Sequence, residues 1–493
     1  MNQLIRGFLF LFLVFIPWQK LFAQRLLTLQ QSVSEALEKS PEIRQAKANL
    51  IYNRENLTAQ RASLKSKFKL SVTPYKYSNS RNYDDFNQAW YNAEKTSSFG
   101  TLSVNQPIVW TDGELSLVNR FGWEDNYSSS SVNQPFKGFS NSLDLRLNQP
   151  VFTYNRRKLE LRELELAFEN AQLSYALKEL NIEKRVTDYF YQLYQTQMNV
   201  LTYREEYANR KKSYDIIKNK VEAGLTAKEE LLQAELDLMS SSSTLQNSEV
   251  NLENVKDNFK QMLGIPLEEE IMVIAEVSIL PVDIDLAQAI SYGLKNRMEI
   301  RQREIEIEKG QFDIIRTNAL NEFKGNVGLS VGLFGNDERF QDIYATPNDN
   351  QDVSVSFEIP LWDWGEKKAR LRAAEANLQA QEFRLEDEQI GIKLSVRQIH
   401  RTLKNLLTQI NIARKNEENA KLTYEINLEK YKNGDLTSMD LNLVQNQLTQ
   451  KKNDLTSALI NYKLELLNMK LQTLYDFENK VPVIPEVLNP EKR

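Results

Sequence analysis

No proline falls between Pro150 and Pro266, and none between Pro360 and Pro482. Within Val151–Leu263 the only glycine is Gly224, and Glu366–Val481 holds only Gly391 and Gly434. Stretches so free of breakers, rich in Leu, Glu, Lys, Gln and Ala, predict long helices interrupted near Gly224 and Gly434. Their apolar residues recur every seventh position: Leu371, Leu378, Leu385, Ile392, Ile399, Leu406 and Ala413, and in the other half Leu161, Phe168, Tyr175, Ile182 and Tyr189. A sustained seven-residue repeat predicts left-handed supercoiling. A helix over Arg156–Glu222 would extend about 100 Å at 1.5 Å per residue, a length for which a compact globular domain has no use.

The two halves are copies of one another. At an offset of 210 residues, Pro150 matches Pro360, Lys158 matches Lys368, Leu161 matches Leu371, Tyr214 matches Tyr424, Gly224 matches Gly434 and Leu231 matches Leu441. Upstream, Glu42-Ile43-Arg44-Gln45 recurs as Glu299-Ile300-Arg301-Gln302 at an offset of 257, so the first half carries 47 extra residues between these anchors. Residues 24–266 form the first repeat and 267–480 the second, and 481–493 form a mobile tail with further prolines. Each repeat reads helix, strands, long helix, glycine turn, shorter helix. The two shorter helices together approach the length of the long one. This predicts helical hairpins with strands at one end and the glycine turns at the other.

The strand regions, about 66–152 and 325–361, alternate with period two. Leu143, Leu145 and Leu147 interleave with Asp144, Arg146 and Asn148; Val353, Val355 and Phe357 interleave with Ser354, Ser356 and Glu358. Apolar-out, polar-in alternation is the pattern of a transmembrane barrel, although a soluble sandwich face shows it too. Trp90, Trp110, Trp123, Trp362 and Trp364 all fall in these regions or their loops, where aromatic rings suit a membrane–water boundary. The fold class expected is therefore mainly α with a β-barrel contribution. Four strands cannot close a barrel, so it must be shared between copies. The extra residues hold a further candidate hairpin, Thr101–Val109 with Glu114–Phe121, whose place in or outside the barrel the sequence leaves open.

Composition excludes much chemistry. The 493 residues include no cysteine and one histidine, His400, which removes thiol nucleophiles, disulfides, thiolate metal sites and Cys/His triads. No catalytic constellation, cofactor site or metal site emerges, and an enzyme is not expected. Glu268-Glu269-Glu270 reads as a solvated repeat junction, His400 as packing or a solvated face, and the hydroxyl run Ser240–Thr244 carries no chemistry. A net charge of −5 without a basic stripe argues against nucleic acid. Arg6, the apolar run Gly7–Ile16 and small Ala23 fit a signal peptide over residues 1–23, and no cysteine follows it to carry a lipid.

These residues resemble the TolC-type outer-membrane efflux proteins (outer membrane factors) along nearly the whole mature length. The carriers are Thr28-Leu29-Gln30-Gln31-Ser32-Val33 leading to Pro41-Glu42-Ile43, and the strand exits Gln149-Pro150-Val151-Phe152 and Ile359-Pro360-Leu361-Trp362. The tips Gly224-Leu225-Thr226 through Glu235 and Gly434 through Leu441 complete the set. The resemblance implies a homotrimer with a twelve-stranded barrel in the outer membrane and an α-helical barrel in the periplasm. Its partners would be a periplasmic adaptor, an inner-membrane pump or secretion transporter, and outer-membrane lipid.

The resemblance also implies that Gly224, Leu225, Thr226, Gly434, Asp435, Leu436 and Thr437 face the adaptor. Asp440 matches an acidic residue that rings the periplasmic constriction, and Glu230 and Tyr431 match members of the closing network. Two departures stand out: Leu443 replaces a second aspartate, and Leu436 replaces an arginine of the closed tip. Asp440 and Glu230 also suit helix N-termini on dipole grounds alone. The alternative reading is a coiled-coil scaffold or adhesin without a pore, and the cargo is not legible.

Overall fold

The computed structural model describes residues 25–85, 88–128, 135–275, 277–483 and 485. The expected signal peptide and most of the expected tail lie outside them. In chain order the elements are β1 (Arg25–Leu27), α1 (Leu29–Lys39), α2 (Pro41–Ser63), β2 (Lys67–Asp84), β3 (Ala89–Ile108), β4 (Gly113–Ser128), β5 (Phe136–Val151), α3 (Arg156–Glu222) and α4 (Lys228–Leu263). The second repeat continues with β6 (Ile271–Val273), α5 (Leu286–Asn296), α6 (Met298–Asn318), β7 (Lys324–Asp337), β8 (Asn348–Glu358), α7 (Glu366–Asn433) and α8 (Ser438–Thr473). The expected succession of helix, strands, long helix, glycine turn and shorter helix is present twice. The chain forms two compact units, one built on Ala46–Ala176 and Arg297–Lys393, the other on residues up to Gln45, Leu177–Asn296 and Leu394–Pro485.

The first of these units holds one antiparallel sheet of six strands in the order β2-β3-β4-β5-β7-β8. The expected minimum of four is exceeded because the hairpin left open in the sequence joins the sheet as parts of β3 and β4. Register lines up an apolar row from every strand on one face. Leu70 lies opposite Leu102, Val104 opposite Leu117, Leu117 opposite Leu145, Leu145 opposite Val331, and Leu329 opposite Val353. Leu70, Leu102, Leu117, Leu145, Leu329, Val331 and Val353 are all exposed. The other face carries Lys69, Ser71, Thr101, Ser103, Ser116, Arg120, Asp144, Arg146, Ser330 and Ser354.

Aromatic rings gather at both ends of the strands. Phe121, Phe139 and Phe340 pack together at one end, where Tyr83 meets Trp90 edge to face. At the helix-bearing end Phe152, Phe323 and Phe357 form a chain of ring contacts, and Trp362 and Trp364 meet before α7 with Trp364 91% exposed.

The two Asn-Gln-Pro echoes close their strands alike. The Gln106 amide donates to the carbonyls of Pro107 and Leu64, and the Gln149 amide to those of Pro150 and Thr111. A carbonyl freed where a strand ends needs such a donor.

The second unit is helical with a small parallel pair, β1 with β6. Along α7 the buried residues Val396, Ile399, Leu403, Leu406, Ile410 and Ala413 follow the alternating three- and four-residue steps of a coiled-coil seam. Two short helices, α1 and α5, were not among the expected elements. Both begin with a side-chain cap 257 residues apart: the Thr28 hydroxyl accepts the Gln31 amide, and the Asp285 carboxylate accepts the Gln288 amide. Buried Gln197 of α3 forms two hydrogen bonds with the backbone of Val273, satisfying the outer edge of β6. His400 bonds the Ile284 carbonyl at 3.1 Å, and Arg25 spans Glu35 and Glu269, so the sole histidine and part of the glutamate run tie helices to the short segments. Val481 and Pro482, the first residues of the expected tail, pair with Asp476 and Tyr475.

Candidate functional site

Each long helix ends at its glycine by the same device. The Gly224 amide donates to the Val221 carbonyl and Leu225 to Lys220; the Gly434 amide donates to Tyr431 and Asp435 to Lys430. This bond pair requires a left-handed residue, and Gly224 and Gly434 have φ of 72° and 92°. Nothing lies within 4 Å of a Cβ built at either site, so backbone conformation rather than crowding selects glycine. The chain then re-enters a helix through Leu225-Thr226-Ala227 and through Asp435-Leu436-Thr437. The Thr437 hydroxyl accepts the Asp440 amide at 3.2 Å and donates to the Asp440 carboxylate at 2.7 Å. Ala227 provides no such cap for α4.

The expected site residues converge. Glu230, in the first turn of α4, accepts the backbone N–H of Ser438 in the first turn of α8 at 3.3 Å. Tyr431 is 4% exposed and packs with Ile217, Ala234, Tyr424, Leu441 and Leu448. Burial, reinforced by Glu230 and Asp237 nearby, pushes its hydroxyl up to about 12; Ser438 stands close enough to offset part of this, but not in hydrogen-bond geometry. Lys220 lies over the ring at 5.5 Å and donates to the Tyr431 carbonyl at 3.1 Å. Glu230 and Tyr431 are therefore brought close without the direct bond that a carboxylate and a tyrosine hydroxyl could make. Leu436 packs on the same apolar cluster. Asp440 stays exposed, as do Leu225, Met439 and Leu443.

One feature behind the tips escaped sequence reasoning. Arg210 of α3, 10% exposed at its side chain, donates to Glu206 at 3.2 Å and to Asn446 of α8 at 2.7 Å, with Asp237 of α4 at 3.8 Å. Glu206 also accepts from the Thr449 hydroxyl. Ser240, Ser241 and Thr244 line the same polar groove, which gives part of the hydroxyl run a place. The signal was available: Arg210 lies seven residues before buried Ile217, in the register of the apolar seam. Its counterpart at the 210 offset is Ala420.

Among the described residues, no group of His, Asp and Glu could hold a metal ion, and no helix is long and apolar enough to cross a membrane.

Comparison with known proteins places these features. The fold is similar to the CmeC outer membrane channel of Campylobacter jejuni, with TM-score 0.67 and 16% identity over 94% of this chain and 90% of that one. It is also similar to VceC of Vibrio cholerae, with TM-score 0.63 and 14% identity over 91% and 95%. The open state of the Neisseria gonorrhoeae MtrE channel gives TM-score 0.65 and 14% identity over 91% and 89%. No curated protein sequence matches significantly. The outer membrane efflux protein family matches residues 120–264 and 293–471, which take in α3, α4, α7 and nearly all of α8. With this match over more than half of its length, the chain belongs to the outer membrane efflux protein family.

Proposed function

We propose that this outer-membrane efflux duct works as a homotrimer and that its helical tips are the periplasmic gate. The duct is passive and not an enzyme; its sheet belongs in the outer membrane and its helices form the periplasmic tunnel. The observation that carries this reading is the single apolar face running through all six strands, with a polar face behind it. A scaffold or adhesin has no need of such a face, and that alternative is not favoured.

Assembly is supported by apolar stripes that the single chain leaves uncovered. Leu232, Leu236, Met239 and Val250 on α4, and Ile412, Leu422 and Ile426 on α7, are exposed. Helices in a closed α-barrel need a second apolar seam of this kind for the neighbouring copy.

At the tips, Asp440 repeated three times would place an acidic ring across the pore and favour cations. Glu230 and buried Tyr431 would hold the tips together. Gly224, Leu225, Thr226, Gly434, Asp435, Leu436 and Thr437 would present the surface for a periplasmic adaptor, with an inner-membrane pump or secretion transporter supplying energy.

Planar-bilayer conductance of the purified protein tests the reading. Cation-selective channels whose selectivity weakens in Asp440→Ala are expected. Unchanged selectivity would remove Asp440 from the filter, and inserted trimers that never conduct, even with tip-opening substitutions at Tyr431, would overturn the duct.

A further inference from the structure

A sheet in hydrocarbon cannot keep an open edge, because unpaired N–H and C=O groups find no partner in lipid. Here the edges are β2 and β8. Six strands are too few to close on themselves, since bacterial barrels need about eight or more. All neighbours in the sheet are antiparallel, so the first and last strands run in opposite directions. The β8 edge of one copy can therefore pair antiparallel with the β2 edge of the next.

We propose that three copies close a barrel of eighteen strands through β8–β2 pairing, with the β2–β3 hairpin as an integral part of the wall. This rests on the trimeric duct reading above. Three observations make β2–β3 wall rather than appendage. It is hydrogen-bonded to β4 along the full ladder from Ala93–Ser128 to Ile108–Gly113. Its apolar residues Phe68, Leu70, Val72, Leu102 and Val104 share the outward face of the other four strands. Its end is finished by Gln106 in the way that β5 is finished by Gln149. At the offset of 257 residues Lys67 of β2 matches Lys324 of β7, and at 210 β5 matches β8, so the strands added by the 47-residue excess are β3 and β4, which hold β2 in the sheet. Barrel diameter grows roughly linearly with strand number, and about 16–18 strands leave an aqueous channel. The barrel would be about 1.5 times as wide as a twelve-stranded one, leaving the helical tips to limit passage.

The chain has no cysteine, so engineered pairs report adjacency without background. Ser71→Cys on β2 is combined in turn with Asp352→Cys, Ser354→Cys and Ser356→Cys on β8, all on the polar face. A parallel set carries Ser116→Cys on β4 with the same β8 cysteines. Oxidation in outer membranes is expected to link the β2 set into covalent trimers and to leave the β4 set unlinked. Linking of the β4 set alone would put β2–β3 outside the wall and overturn the proposal while keeping the duct. Covalent species that stop at dimers would mean twelve strands and overturn it too. Failure of both sets in protein that washes free of the membrane would overturn the duct reading itself. Averaged end views of the purified oligomer by electron microscopy give an independent strand count, and twelve in place of eighteen would refute the proposal.

Discussion

The Ser438 amide donates to the Glu230 carboxylate across 3.3 Å, joining the first turns of two helices that are 208 residues apart in sequence. Both groups sit at helix N-termini, where amides lack intrahelical partners and a carboxylate is favoured by the dipole. One side chain thus serves two helices. Replacing it with Glu230→Ala frees the Ser438 amide and is expected to cost about 1 kcal/mol, as for a single partly exposed hydrogen bond. The loss should be local: trypsin should cut faster at Lys220 and Lys228, and channels should open more often, with the global melting temperature little changed. Unaltered tip cleavage and gating in the variant would dismiss the bond as a tie.

Tyr431 separates packing from polar bonding. Its ring is buried, yet its hydroxyl is not bonded to Glu230. Tyr431→Phe should therefore be close to neutral, because no hydrogen bond is lost. Tyr431→Ala should cost about 3–5 kcal/mol, as for other large-to-small core substitutions. The hydroxyl's pKa is pushed up to about 12, mainly by burial. A raised pKa means the native state holds the proton longer than the unfolded chain does, so this contribution is complete below the ordinary value of 10.0 and is lost as pH rises towards 12. Tyr431→Phe should be more resistant to alkali in that window. Chemical unfolding followed by circular dichroism reads both effects; a Phe variant as damaged as the Ala variant would show that the hydroxyl matters after all.

How far these features could be read in advance depends on whether they repeat. The seam from Val396 to Ala413, the paired glycine tips and the strand alternation recur at the 210 offset or with a fixed period, so each was visible without neighbours. The capped helix at Thr28 has the matching Asp285 at 257, and was legible in principle from the spacing Thr28-x-x-Gln31. The place of β3–β4 was not, because strand order depends on pairing between distant segments, and alternation alone does not say which strand is the neighbour. At the candidate gate, Glu230, Tyr431 and Asp440 could be named from the resemblance. The bond from Ser438 to Glu230 could not, since it depends on two backbone ends meeting in space. Arg210 breaks the local rule that a seam is apolar, and its partners Asn446 and Asp237 lie on other helices.

Acid should loosen the region around β1 and α1. Burial opposes ionisation of Glu35, but hydrogen bonds from Lys39 and Arg25 outweigh it and hold the carboxyl below its ordinary value of 4.5. Glu42 is held low as well, by Lys178 and then Arg185. For such groups the unfolded chain binds protons first, so their stabilisation is present above the ordinary value and lost as pH falls through the lowered one. Melting temperature should decline below about pH 4.5, and Glu35→Gln should show a shallower decline from a lower starting point. Equal slopes for wild type and variant would exclude Glu35 as a source of the acid sensitivity.

Arg210 is expected to be the most sensitive charged position in the helical unit. It ties α3 to α8 through Asn446 and lies against Asp237 of α4, while Glu206 is left with only the Thr449 hydroxyl if the arginine goes. Removing one partner of a buried ion pair typically costs about 3–5 kcal/mol, because the other charge stays behind without compensation. Arg210→Ala should fall in that range. Arg210→Lys should recover only part, since one ammonium cannot reproduce a planar fork aimed at several acceptors. Replacing both partners of the Arg210–Glu206 pair by apolar residues is a different experiment, since buried ion pairs exchanged together for packed side chains are often neutral. Arg210→Met with Glu206→Leu should accordingly be less damaging than Arg210→Ala alone. Denaturant titrations of the four proteins decide this: a double variant weaker than the single one would mean that the node supplies stability of its own, beyond compensating its own charges.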